Sequence, residues 1–203
     1  GRLDPRRTFR RSLQTGGIPI DPALRRTHPH RPDVVVLCDI SGSVAEFAQF
    51  TFTLVHALHD VLDNVRSFAF VGGVAETTDV FAEAVHEVPV QRMLERRGVI
   101  GLDGHSDYGA AFGQFADEYL HDAVGRRTTV IVTGDGRSNF REPGREAFRA
   151  IVERARRVYW LDPEPRADWF VDDSAMADYA PLCHGVFEVS TVRSLAEVIA
   201  ELV

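Results

Sequence analysis

Residues 34–43 read Val34-Val35-Val36-Leu37-Cys38-Asp39-Ile40-Ser41-Gly42-Ser43, an unbroken apolar run that ends in a carboxylate and two hydroxyls at alternate positions. A continuous, Val-rich run is the pattern of a strand covered on both faces of a parallel sheet. Beyond it, Phe47, Thr51, Leu54, Val55, Leu58, Val61 and Leu62 recur at three- and four-residue steps, which predicts a helix over roughly 44–63. The loop between strand and helix lies where first-turn N–H groups are unpaired and the helix dipole is positive. Gly42 lets that loop curl. Asp39, Ser41 and Ser43 can then aim three oxygens at one point, a partial shell for Mg²⁺ or Mn²⁺. The same residue types also suit a plainer role as helix N-caps.

Working outward, Arg66 to Val71 predicts a second apolar strand, broken by Gly72-Gly73, and Glu76 to Phe81 a short polar strand at a sheet edge. Residues 83–97 have helical spacing that Pro89 must kink or divide. The loop Gly101 to Asp107 leads into a helix carrying Ala110, Ala111, Phe112, Phe115, Ala116, Tyr119 and Leu120, with Ser106 or Asp107 placed as its N-cap. Thr128 to Val132 is the third clear strand and ends at Thr133-Gly134-Asp135-Gly136-Arg137. A helix over Arg145 to Arg156, a strand over Val158 to Leu161, an irregular acidic stretch through Ala180, a strand over Val186 to Val189 and a helix from Leu195 to Val203 follow. This alternation predicts an α/β domain over residues 33–203, a doubly wound, mostly parallel sheet with one short antiparallel edge strand. In such sheets ligands bind beyond the carboxyl ends of the strands, where strand order reverses. With the common order 3-2-1-4-5-6, the reversal falls between the strands that end near Asp39 and Asp135.

Asp39-Ile40-Ser41-Gly42-Ser43 after an apolar strand resembles the metal-ion-dependent adhesion site (MIDAS) of von Willebrand factor A (VWA) domains, a Rossmann-like fold. Gly104-His105-Ser106-Asp107-Tyr108-Gly109 is similar to the Gly-Gly-Thr-x-x-Gly segment of that family, with Ser106 where Thr is usual. Thr133-Gly134-Asp135-Gly136 resembles the family's Ser-Asp-Gly turn, with Gly134 in place of Ser. The resemblance implies a metal site of Asp39, Ser41, Ser43, Ser106 and Asp135. In it the three hydroxyls bind Mg²⁺ or Mn²⁺ directly, the two carboxylates act partly through water, and a sixth position is open to an acidic residue of a partner protein. Leu37 to Ser43, Arg157 to Pro163 and Arg10 to Gly17 look most like the CoxE-type group of VWA proteins. That likeness implies work beside a MoxR-type AAA+ ATPase in maturing, or inserting metal into, a client enzyme.

Composition narrows the alternatives. The 203 residues, 44% hydrophobic, are enough for one sizeable core. Residues 1–32 hold eight Arg against Asp4 and Asp21, a net +6, and the remainder carries −13 of the total −7. A basic, Pro- and Gly-rich arm or linker of residues 1–32 is therefore expected ahead of an acidic body, which is a poor general binder of nucleic acid. Cys38 within a central strand and a distant Cys183 suggest reduced, packing thiols in a cytoplasmic protein. No apolar run approaches membrane-spanning length.

The strongest rival is a Mg²⁺-dependent phosphohydrolase on a haloacid-dehalogenase-like sheet, whose nucleophilic Asp also follows the first strand. Such enzymes usually carry a second Asp two residues on, where Ser41 stands, and a Lys on the phosphate, whereas all 23 basic residues here are Arg. A P-loop is excluded by the same lack of Lys, and neither Ser41 nor Ser43 sits in a Gly-x-Ser-x-Gly elbow. Cys38 and Cys183 with His184 lack a second pair at zinc spacing. Of the eight His, His105 beside Ser106 is the one expected near the metal face. The expectation is a binding module and not an enzyme.

Overall fold

The computed structural model describes residues 34–41, 64–83 and 106–191, together with Thr53, Val55, His56, Ser194 and Val198. Among the described residues six strands make one sheet: β1 (Val34–Asp39), β2 (Val65–Phe70), β3 (Val74–Glu76), β4 (Thr129–Thr133), β5 (Arg157–Asp162) and β6 (Gly185–Glu188). Their order is β3-β2-β1-β4-β5-β6. All neighbours are parallel except β2 and β3. The expected doubly wound sheet with one antiparallel edge strand is present. Among the described residues the helices with both ends described are α1 (Thr78–Glu83), α2 (Tyr108–Glu118), α3 (Leu120–Ala123), α4 (Arg145–Arg154) and α5 (Met176–Tyr179).

Every residue of β1 is buried, as its unbroken apolar run requires. Successive side chains of a strand point to opposite faces, so Val34, Val36 and Cys38 join Val55, Val80 and Val198 in one core. Val35 and Leu37 join Phe112, Phe115, Phe148 and Trp160 in the other. Asp39 continues the second set and so ends β1 on the α2 side of the sheet.

The edge differs from expectation. The antiparallel strand is Val74–Glu76, with Phe70 opposite Val74, and α1 begins at Thr78. Gly72 and Gly73 reverse the chain tightly enough for pairing to resume at once. Thr77, expected to lie in a strand, instead accepts Val80 N–H at its carbonyl in the first turn of α1. The stretch expected to be irregular contains α5 and a 3-10 turn at Ala180–Leu182. Thr53, Val55 and His56 are helical, in line with the helix expected there. The rest of that helix, the arm of residues 1–32 and its boundary, residues 84–105 and most of the carboxyl-terminal helix lie outside the described residues. Among the described residues no helix is long and apolar enough to cross a membrane.

Candidate metal centre

β1 and β4 run side by side in parallel, with Cys38 opposite Thr133, so their carboxyl ends deliver Asp39 and the 134–137 turn to the same edge of the sheet. Asp39, Ser41, Ser106 and Asp135 are all buried, none more than 5% exposed. Ser43 and His105 lie outside the described residues. Asp39 accepts the Ser41 N–H at Oδ1 (2.8 Å) and the Tyr108 hydroxyl at Oδ2 (2.6 Å). Asp135 makes the same kind of turn, its Oδ1 accepting the N–H of Arg137 at 2.9 Å. That oxygen lies 3.5 Å from the Tyr108 hydroxyl, which also accepts the Gly136 N–H at 3.1 Å. The two carboxylates therefore meet around one phenol oxygen.

Tyr108 reaches this position because it opens α2. Asp107 is the N-cap, with Oδ1 accepting the Ala110 N–H at 2.8 Å, and its own N–H donates to the Val71 carbonyl at 2.8 Å just past β2. The cap proposed from sequence as Ser106 or Asp107 is Asp107. Ser106 precedes it, and its carbonyl accepts Asn139 Nδ2 at 3.0 Å, which joins it to the loop after β4. Asp39, Asp135 and the Ser106 segment are thus brought together from three loops.

Burial is the main reason the Asp39 carboxyl is pushed up to about 7, and the charge of Asp135 adds to it, against the bonds from Tyr108 and Ser41. Burial, then the same two carboxylates, raise the Tyr108 phenol well above its usual range. Two buried carboxyls side by side are costly to ionise, and a divalent ion would lower that cost. The donor set fits hard cations, which prefer oxygen. Among the described residues no three His, Cys, Asp or Glu side chains form a metal cluster, so an ion here would depend on hydroxyls and water as well.

Sequence reasoning missed three contributors. Tyr108 was read only as a spacer in its motif. Asp162, fully buried at the end of β5, accepts the Glu164 N–H at Oδ1 (2.8 Å), while its Oδ2 has no partner among the described residues. Burial pushes its carboxyl up to about 8 against the bond from the Glu164 N–H, with the charges of Glu164 and Asp135 adding and that of Arg137 opposing. Its signal was legible, because it is a carboxylate at the carboxyl end of a strand, as Asp39 is. Arg137 grips Glu164 through Nε and Nη2 at 2.9 Å each and Asp173 through Nη1 at 2.8 Å.

A family model described as VWA domain containing CoxE-like protein matches residues 1–198. The chain belongs to this family. Solved structures similar to the CoxE-like VWA chain include proximal thread matrix protein 1 from the mussel byssus, at 16% identity and a TM-score of 0.57, covering 85% of this chain and 47% of that one. A form of that protein with a zinc-occupied MIDAS motif has a TM-score of 0.54 at 14% identity, over 85% of this chain and 47% of that one. Manganese-loaded TRAP protein of Plasmodium vivax has a TM-score of 0.50 at 14% identity, over 83% and 72% of the two chains. The CoxE-like VWA chain spans about half the length of the mussel protein. At these identities the likeness establishes the shared fold. No curated protein matches the chain in sequence.

Proposed function

We propose that this chain is a divalent-metal-dependent protein-binding module, with Mg²⁺ or Mn²⁺ held by Asp39, Ser41, Ser43, Ser106 and Asp135. The observation that carries the reading is the meeting of Asp39 and Asp135, both buried, around the Tyr108 hydroxyl at the reversal of strand order. The zinc and manganese reported for the two structural relatives are in keeping with it. Two carboxylates roughly balance a divalent ion. An ion held otherwise by hydroxyls and water stays electrophilic, and such an ion captures a carboxylate from another protein. Within this chain, Ser41 and Arg137 N–H groups hold the two carboxylates in fixed orientations, and Asn139 ties the Ser106 carbonyl, just ahead of α2, to the loop after β4.

The finer reading is an adaptor in the cytoplasm, working with a MoxR-type AAA+ ATPase on a client enzyme and doing no chemistry itself. Membership of the CoxE-like family supports it. The phosphohydrolase reading has no feature in its favour beyond Asp39, since Ser41 stands where a second acid is needed and the chain has no Lys.

Isothermal titration with Mg²⁺ and Mn²⁺, comparing the parent with Asp39→Ala/Asp135→Ala, tests the site. Binding by the parent and none by the double variant is expected. Equal binding by both would remove the metal centre from these residues.

A further inference from the structure

The turn after β4 has no side chain at residue 134, and the space beside it is filled from another element. A Cβ built on Gly134 would run into the Tyr108 hydroxyl and stand 2.8 Å from the Asp39 Cβ. Gly134 also has φ +153°, a conformation that side-chain-bearing residues rarely adopt. We infer that Tyr108 is a positioning residue of the metal centre, its hydroxyl occupying the place left open at Gly134 and locking Asp39 and the Asp135 turn into one arrangement. The inference rests on the metal-binding reading above and assigns it a residue that its five oxygen donors do not include.

The hydrogen-bond inventory of a phenol decides how the lock works. A tyrosine hydroxyl donates one hydrogen bond and accepts others. Gly136 N–H donates to it at 3.1 Å, so the phenol accepts from the backbone of the turn. Its single proton has two claimants, Asp39 Oδ2 at 2.6 Å and Asp135 Oδ1 at 3.5 Å. The first is a short, charge-assisted geometry and the second is at the limit of a hydrogen bond, so the proton goes to Asp39. Asp39 is then held at both oxygens, by Ser41 N–H at one and by Tyr108 at the other, and each oxygen keeps capacity to face an ion.

The ring has little freedom to move. It lies parallel to Trp160 (centroids 5.7 Å apart, 24° between planes) and meets Phe70 edge-on at 5.0 Å. Trp160 in turn donates Nε1–H to the Gly134 carbonyl at 2.9 Å. Tyr108 and Trp160 thus pin the 134–136 turn from the same aromatic layer. One phenol oxygen ties together the end of β1, the start of α2 and the turn after β4, which are the segments that carry Asp39, Ser106 and Asp135. Groups that orient metal ligands in this way typically contribute 10- to 100-fold to metal affinity.

The test is Tyr108→Phe, which keeps the ring and its packing and removes only the hydroxyl. Mn²⁺ affinity by calorimetry and the Mn²⁺ electron paramagnetic resonance line shape are measured for the parent, Tyr108→Phe, Gly134→Ala and Asp39→Ala/Asp135→Ala. Expected are binding about tenfold weaker in Tyr108→Phe, a broadened or shifted Mn²⁺ spectrum, and a comparable loss in Gly134→Ala, whose methyl competes with the hydroxyl for its place. Parent-like affinity and spectrum in either single variant, with binding abolished in the double variant, would overturn the role of Tyr108 and leave the metal centre standing. Parent-like binding in the double variant would remove the metal centre and the inference with it. Should Tyr108→Phe not fold, Gly134→Ala carries the test alone.

Discussion

Arg137 and Glu164 face each other through two parallel hydrogen bonds of 2.9 Å, so the turn that presents Asp135 is fastened to the segment following β5 by the chain itself. The guanidinium fork also holds Asp173, which accepts the Asn139 N–H at 3.2 Å. Bidentate pairing of this kind, mostly shielded from water here, is the strong form of the ion pair.

Arg137→Ala leaves two carboxylates without their partner and is expected to cost about 2 kcal/mol, the scale of hydrogen bonds to charged groups. Arg137→Lys should recover less than half, because an ammonium cannot form the fork. Urea unfolding of the metal-free protein measures both, and an unchanged midpoint for Arg137→Ala would refute the claim.

Stability of the metal-free chain should fall as pH rises from about 4 to 8. Asp162 and Asp39 have usual values of 3.8 and are pushed up to about 8 and about 7 in the fold. The folded chain therefore holds protons that the unfolded chain has released, and the stability they contribute is complete below the unfolded value and lost as pH climbs through the folded ones. Asp162→Asn keeps an oxygen for the Glu164 N–H and cannot ionise. Its melting temperature in EDTA should exceed the parent's at pH 8 and lose that advantage at pH 5. A parent-to-variant difference that does not change with pH would contradict the assignment.

Gly109, next to Tyr108 in the first turn of α2, packs against the loop ahead of α4. A Cβ there would run into the Glu142 carbonyl oxygen and stand 3.0 Å from the Gly144 nitrogen, both backbone atoms. Gly109→Ala should destabilise by about 2 kcal/mol, the range for overpacking an interior contact, although alanine is the better helix former. Gly113, with open space around its Cβ position, is the control, and Gly113→Ala should not destabilise. Thermal melts that rank the two variants the other way would reject this packing.

If the proposed ion takes a partner's carboxylate, a MoxR-type ATPase from the same host should be recovered by the chain in Mg²⁺, and less in EDTA or with Ser41→Ala/Ser43→Ala. Equal recovery in all three would shift the contact to another surface. Loss of that recovery in high salt would then point to the arm and its Arg6, Arg7, Arg10 and Arg11.

Periodicity in the sequence went a long way toward the fold because β1 is buried on both faces and its residues had to be apolar throughout. From strand order alone, the carboxyl ends of β1 and β4 fell together, and with them Asp39 and Asp135. The edge was misjudged because the threonines at 77 and 78 suit a strand by propensity, whereas here Thr78 Oγ1 bonds to Ser67 N–H and Glu76 at the start of a helix. Tyr108 was illegible for a different reason. Its spacing is that of any inward-facing residue of an amphipathic helix, and only the meeting of three loops reveals that its polar tip lies between two acids.

The bond between Tyr108 and Asp39 spans 69 residues of chain. No peptide cut from either loop could reproduce it, and loop-closure entropy must be overcome before it forms. If the metal centre is as proposed, it is a late product of folding, and Mn²⁺ capture during refolding would serve as a clock for the moment β1, α2 and β4 are all in place.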